Sequence, residues 1–358
     1  MSRSKVLLVT LAGVAAALLA GFAAGKSVAP RGEISPARNV YEIRLSSAGL
    51  TGPLLECEES AKGEAKPEIR YFNTELRAKV AEIEAREGVK RVAVYFRDLE
   101  NGLSIGVNQD EKFIPASLSK VPLLITCLKM AELDPKFFDR KVKFPGLPAA
   151  WMRECHYPPA KTLETGKEYT VAELLDYTIS YSDNAATWLL YNTVTSTMVD
   201  NVLYDFGFNC DIYQCRMSPE AYGRFFRILY NASYLSDEMS EKALTLLAKC
   251  QFDKGIVAGL PKGVTVAHKF GEMYKQTEAG KPLQLHDCGI VYAKGNPYVL
   301  CVMTAGDRHY KELETAIQEI SRFVYDKVSE KVALSASETD SFRIANADSI
   351  PARKNLSE

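Results

Sequence analysis

The chain has 358 residues, enough for one large domain or two small ones. Hydrophobic residues make up 47% and charged residues 25%, the balance of an ordinary globular protein rather than of a disordered or fibrous one. The formal net charge of −1 leaves no basic field for a phosphate backbone, which excludes nucleic acid as the expected partner.

The N-terminus departs from that balance. Arg3 and Lys5 precede an apolar run from Val6 to Gly25, and Lys26 closes it. A basic start followed by an apolar stretch is an export signal. The run is long enough to span a bilayer, and its basic flank keeps the N-terminal end in the cytoplasm. Ala20-Gly21-Phe22-Ala23-Ala24 offers small residues but no clean cleavage site. Residues 1–26 are therefore expected to be a membrane anchor that leaves the rest on the extracytoplasmic face, or a signal whose cleavage would make the protein secreted. Residues 27–67, with Pro30, Pro36, Pro53 and Pro67, read as a linker. None of the eight cysteines falls in a Cys-x-x-Cys pair, which speaks against a zinc knuckle. In an exported chain Cys210 and Cys215, the nearest pair, are the expected bridge. Cys127, Cys288 and Cys301 lie in apolar runs and are expected as buried thiols.

From Ile69 to Arg86 the apolar residues Phe72, Leu76, Val80 and Ile83 recur at helical spacing, and Gly88 stops the helix. Val89 to Arg97 alternates as a strand. Asn101-Gly102 makes a tight turn and Leu103 to Val107 returns. A loop from Phe113 then delivers Ser117 to the first turn of an apolar helix that reaches about Leu133. Asp134 to Lys167 is rich in proline and irregular. Thr170 and Glu173 form a capping box for a helix to about Ser180, and a second helix follows through Leu190. Met217-Ser218-Pro219-Glu220 opens another helix to about Ala232, and Ser236 to Lys249 gives one more. Three strands follow, Val264 to Phe270, His286 to Ala293 and Tyr298 to Thr304, and then a helix from Tyr310 to Val328. Residues 331–358 are polar and expected to be a disordered tail. Strands at both ends with helices between predict an α+β sandwich over residues 68–330, one antiparallel sheet packed beside an all-helical lobe.

Ser117 and Lys120 stand three apart, which puts both side chains on one helix face and lets an amine take a hydroxyl proton. Alone the pair is weak, because an N-cap serine with a solvated lysine one turn on has the same spelling. The context is more specific. Ser182-Asp183-Asn184 occurs once, directly after the capped helix, and Lys269-Phe270-Gly271 follows on a strand. Ser-x-x-Lys, Ser-Asp-Asn and Lys-x-Gly in this order resemble the motifs of class A β-lactamases and penicillin-binding proteins. The runs Tyr169 to Leu175, Ala185-Ala186-Thr187, Gly259-Leu260-Pro261 and Asp287 to Tyr292 are similar to that family as well.

The resemblance implies Ser117 as nucleophile, Lys120 as its base or proton relay, and Ser182 as the group that hands a proton toward the leaving nitrogen. It implies Asn184 and Lys269 as substrate-binding groups, with Gly271 in the third motif. The N–H groups of Ser117 and Glu272 would form an oxyanion hole. Asp183 reads as structural. Neither metal nor cofactor is expected. The implied activity is that of an extracytoplasmic class A-type hydrolase, opening a β-lactam or related amide through an acyl-enzyme. The alternatives are a penicillin-binding DD-peptidase acting on peptidoglycan peptides and a non-catalytic cell-wall binding module.

Two departures stand out. Phe270 replaces the usual Thr or Ser of the third motif, so a hydroxyl that helps bind a substrate carboxylate is missing. The glutamate that activates the deacylating water in class A enzymes has no counterpart between Ala185 and Met217, where the acids are Asp200, Asp205 and Asp211. Slow deacylation follows, with Asp211 as the candidate substitute base. His268 reads as a neighbouring core residue, and Cys155-His156 lacks the partners of a thiol protease.

Overall fold

The computed structural model describes residues 40–44, 49–59, 67–152, 154–212, 214–273 and 283–347. The side chains of 40–44, 54–59, 67–70 and 331–347 are not described. The expected anchor at 1–26 lies outside these residues. Among the described residues no helix is long and apolar enough to cross a membrane.

A hairpin, β1 (Val40–Arg44) and β2 (Leu54–Glu59), falls in the segment expected to be a linker. Residues 50–52 dock on the domain. Leu50 N and Thr51 N donate to the Glu241 carboxylate, Gly52 N donates to Tyr230 O, and Tyr292 Oη donates to Leu50 O. Proline and glycine content signals irregular backbone, but not whether that backbone finds a partner on the domain.

Helix α1 (Pro67–Glu84) buries Leu76, Val80 and Ile83, the residues its spacing singles out. Strands β3 (Val89–Asp98) and β4 (Ser104–Val107) follow, then α2 (Lys120–Leu133). The short pair β5 (Lys141–Lys143) and β6 (Glu168–Thr170) brackets the irregular segment. Helices α3 (Val171–Ser180), α4 (Asn184–Thr193), α5 (Ser196–Asp205), α6 (Pro219–Tyr230) and α7 (Asp237–Leu247) make the middle of the chain. Strands β7 (Val266–Met273), β8 (Leu283–Val291) and β9 (Tyr298–Gly306) and helix α8 (Tyr310–Ala347) complete it. The backbone of α8 runs beyond the expected end near Val328. The α3 capping box is present, Thr170 Oγ1 accepting from Glu173 N and the Glu173 carboxylate from Thr170 N.

The antiparallel sheet has the order β4-β3-β9-β8-β7, so strands from both chain ends meet at the β3–β9 ladder. Alternation along the strands divides the core in two. Val92, Val94, Phe96, Leu300 and Val302 face α1 and α8, whereas Ala93, Tyr95, Val299, Cys301 and Met303 face the middle helices. The expected α+β sandwich is the one observed.

Cys210 and Cys215 are bridged, as expected. Cys288 and Cys301 are not buried thiols. They sit directly opposite on β8 and β9 and form a second disulfide. Apolar surroundings fit either state, and only the cross-strand register, which is invisible in sequence, distinguishes them. Cys127 is a buried thiol.

Strand β8 is buried along its whole length although it carries Gln284, His286 and Asp287. Those polar residues explain why its start reads late in the sequence, and they position the site. Gln284 Oε1 accepts from Ile114 N at 3.2 Å, and His286 Nε2 lies 3.1 Å from Ile114 O. Burial holds His286 neutral, at about 4, so Nε2 donates to Ile114 while Nδ1 accepts from Thr304 N. The chain three residues before Ser117 is thereby tied to the sheet.

Candidate active site

Ser117 lies in a 3₁₀ turn, Ala116–Ser119, that leads without a break into α2. Ala116 adopts φ +48°, a left-handed conformation that costs a non-glycine residue energy and turns the chain sharply before the serine. Lys120 N donates back to Ser117 O and Leu118 O. Ser117 is partly exposed, whereas Lys120 one turn on is buried.

The opposite wall is the turn between α3 and α4. Ser182 has φ +59° there, and Asp183 caps α4, its Oδ1 accepting from Ala186 N at 2.6 Å. Asp183 is structural, as expected. The strain turns the Ser182 carbonyl and hydroxyl toward Lys120. Lys120 Nζ donates to Ser182 O at 2.6 Å, Ser182 Oγ at 3.0 Å and Asn184 Oδ1 at 3.0 Å. Lys269 Nζ, from β7, also reaches Ser182 Oγ at 3.0 Å and Phe270 O at 3.1 Å. One hydroxyl thus bridges two buried amines.

Burial is the main reason that Lys120 sits well below the usual lysine value, and the charge of Lys269 adds to it. Lys269 is lowered by burial too, opposed by negative charge at Cys250, Asp287 and Glu272. A neutral Lys120 keeps two hydrogens, enough for Ser182 O and Asn184 Oδ1, and frees a lone pair to take a proton. Ser117 Oγ has no hydrogen-bond partner among the described residues, so the contact with Lys120 has yet to be made.

Strand β7 closes the site. A Cβ built on Gly271 would stand 2.6 Å from Pro115 O and 3.1 Å from Leu118 N. Only glycine lets the strand lie this close to the serine turn. The Glu272 side chain has a role that its motif position does not suggest. Its carboxylate accepts from His156 N at 2.9 Å and Tyr157 N at 3.1 Å, pinning the 155–157 segment across from β7. Burial raises its carboxyl value, offset in part by those two bonds. Cys155 at the head of that segment receives a long contact from Asn184 Nδ2, at 3.8 Å. No sequence motif announces this strap. Only a glutamate directly after Lys-x-Gly marks where to look.

The Phe270 ring stacks on Phe252 at 4.1 Å and meets the edge of Tyr157, and Lys269 Nζ lies 4.3 Å from its centroid. These rings, with Tyr181 and Gln251, line a groove of about 220 Å³. Trp151 packs on Tyr191. Asp211, the candidate substitute base, accepts from Gln214 N at 3.0 Å in the loop closed by the Cys210–Cys215 bridge.

Comparison with known proteins places this geometry in context. The β-lactamase enzyme family model matches residues 75–328. The chain is 35% identical over 104 residues to β-lactamase L2 of Stenotrophomonas maltophilia, a match covering 29% of this chain and 33% of that protein. It is 24% identical over 227 residues to β-lactamase ROB-1 of Haemophilus influenzae, covering 60% and 72% respectively. Among solved structures, PBP-A superposes with a TM-score of 0.60 at 21% identity, covering 73% of this chain and 96% of that one. The TLA-1 extended-spectrum β-lactamase gives 0.62 at 20% identity, covering 72% and 99%. The structural neighbours establish the fold, and the family model, which spans most of the chain, establishes the lineage: the protein belongs to the β-lactamase enzyme family.

Proposed function

We propose that the protein is a membrane-held, extracytoplasmic serine hydrolase of class A type that opens β-lactams or related amides through an acyl-enzyme on Ser117. The observation that carries this reading is the chain Lys120 Nζ–Ser182 Oγ–Lys269 Nζ, with both links at 3.0 Å, beneath a partly exposed serine. Lys120, uncharged, takes the Ser117 proton as Oγ attacks the carbonyl carbon. The developing oxyanion faces the N–H groups of Ser117 and Glu272. The proton passes through Ser182 to the amide nitrogen as the C–N bond breaks. Two disulfides suit an oxidising compartment, and the basic start with its apolar run supports an anchor.

A penicillin-binding DD-peptidase is the second reading, favoured by the lack of a glutamate between Ala185 and Met217. Membranes of cells making the full chain, incubated with fluorescent penicillin, test the shared chemistry. A labelled band in the membrane fraction, lost in Ser117→Ala, is expected. Equal labelling of the variant would remove Ser117 from the role, and a labelled band only in the soluble fraction would rule out the anchor. Release of the terminal residue from a peptidoglycan peptide, faster than penicillin hydrolysis, would favour the peptidase.

A further inference from the structure

Behind Lys269 lies a second constellation that the acyl-transfer chemistry does not use. His268, the residue before Lys269 on β7, is buried, and its Nδ1 lies 2.8 Å from Asp287 Oδ1 on β8. Asp287 Oδ2 accepts from Ile256 N at 2.9 Å, so the carboxylate is held on both sides. Gly289 stands opposite His268 in the register, and a Cβ there would come 2.4 Å from the Cβ of His268, so glycine makes the room the imidazole occupies. Cys250, the partly buried cysteine that follows α7, sits beside the imidazole. A thiol, an imidazole and a carboxylate thus follow one another in the order that ionises a sulfur.

The groups facing Cys250 come from three elements. His268 and Lys269 approach from β7, with Asp287 of β8 behind the imidazole. Tyr222 approaches from α6, its hydroxyl donating to Leu118 O, and the N–H of Phe252 points to the sulfur. Burial alone would push the thiol up, but the charge and hydrogen bond of His268 and the charge of Lys269 bring it below the ordinary cysteine value. Burial alone would lower His268, but Asp287 and Cys250 raise it to about 10. The other cysteines outside the disulfides among the described residues contrast with this. Burial pushes up both Cys127 and Cys155.

The geometry points to Cys250 as a modification site, a thiolate kept by His268 and Asp287 that reacts with hydroperoxides and thiol-directed electrophiles. With hydrogen peroxide, the sulfur attacks one oxygen, an S–O bond forms and the O–O bond breaks. Hydroxide leaves and takes a proton from solvent, so the sulfur is oxidised to a sulfenic acid and the peroxide is reduced to water. The product is uncharged, so oxidation removes a negative charge beside Lys269, one of the two amines that share the Ser182 hydroxyl.

The test is a timed iodoacetamide pulse on the native full chain, with peptide mapping by mass spectrometry. At pH about 6.5 the Cys250 peptide should be alkylated about tenfold faster than the Cys155 peptide, the larger thiolate fraction outweighing the weaker nucleophile. As pH rises the Cys250 rate should level off at a lower pH than the Cys155 rate, which climbs by about tenfold per unit between pH about 6.5 and 8.5. Peroxide followed by dimedone should mark the same Cys250 peptide. His268→Gln, verified as folded by circular dichroism, should slow Cys250 alkylation by about tenfold at the lower pH and restore its climb. Alkylation of Cys250 no faster than Cys155, a Cys250 rate that climbs with pH as steeply and as far as that of Cys155, or a folded His268→Gln variant that labels unchanged would each overturn the proposal. The wild-type pH profile decides the matter even if the variant does not fold, and none of these readouts depends on acylation of Ser117.

Discussion

At the scale of single residues the site turns on the charge of one amine. Lys120 is buried against Ser182 and Asn184 with Lys269 sharing the same hydroxyl, and it therefore lies well below the usual lysine value of 10.5. Below its own value the amine carries a proton and cannot accept another, and above it the lone pair is free. The rate of penicillin labelling should rise with pH through the Lys120 value and reach its plateau before an ordinary lysine would begin to titrate. Lys120→Arg, charged at every accessible pH, should lose the rise and slow labelling by about 10²–10³-fold. A profile that keeps climbing to pH about 10.5 would mean that Lys120 is not the base. Most of these residues are legible in sequence because their motifs are contiguous and their order is fixed. The work of the Glu272 side chain and the place of Cys250 are not. The Glu272 carboxylate binds backbone N–H groups of a distant loop and Cys250 lies beside a residue of another element, and neither pairing leaves a local pattern.

At the scale of elements the site is a meeting of three backbones: the 3₁₀ turn before α2, the strained turn before α4, and the edge strand β7. The sequence marks each by a cap, a tripeptide or an alternating run, and each element is present. Their approach is decided by contacts between elements. Gly271 is the tightest of these, with Pro115 O and Leu118 pressed against the face where a side chain would stand. Gly271→Ala should displace β7 from the serine turn by a few tenths of an ångström or more. Misplacement on the order of 1 Å costs about 10²-fold in a reaction that depends on alignment. The variant should keep its secondary structure by circular dichroism and label with penicillin at least about tenfold more slowly. Undiminished labelling would show that the strand is free to move and that the close approach does not set the geometry. The late start of β8 has a similar origin. Gln284, His286 and Asp287 are polar, yet each is buried because Ile114, Thr304 and His268 offer it a partner.

At the scale of the whole molecule the decisive feature is the connection from α4 to α6. It is where a class A enzyme would carry the carboxylate that frees the acyl group. Here it is occupied by α5 and the disulfide-closed loop, and each of its three acids accepts a hydrogen bond. Asp200 Oδ1 accepts from Ile212 N at 2.9 Å, Asp205 Oδ2 from Tyr234 Oη at 2.6 Å, and Asp211 Oδ1 from Gln214 N at 3.0 Å. In the proposed acylation Lys120 is the base, but a deacylating water would find no carboxylate dedicated to it in this segment. General-base assistance contributes about 10²–10⁴-fold, and deacylation should be slower by about that factor than in an enzyme with the glutamate. Intact-mass measurement after mixing with penicillin should therefore show nearly all of the protein as the acyl adduct, decaying slowly. Stopped-flow absorbance should show a burst close to one equivalent before a slow steady state. Rapid hydrolysis with no adduct trapped would mean that a working base exists. Asp211→Asn would then be the first variant to make, since Asp211 is the candidate substitute base of this segment.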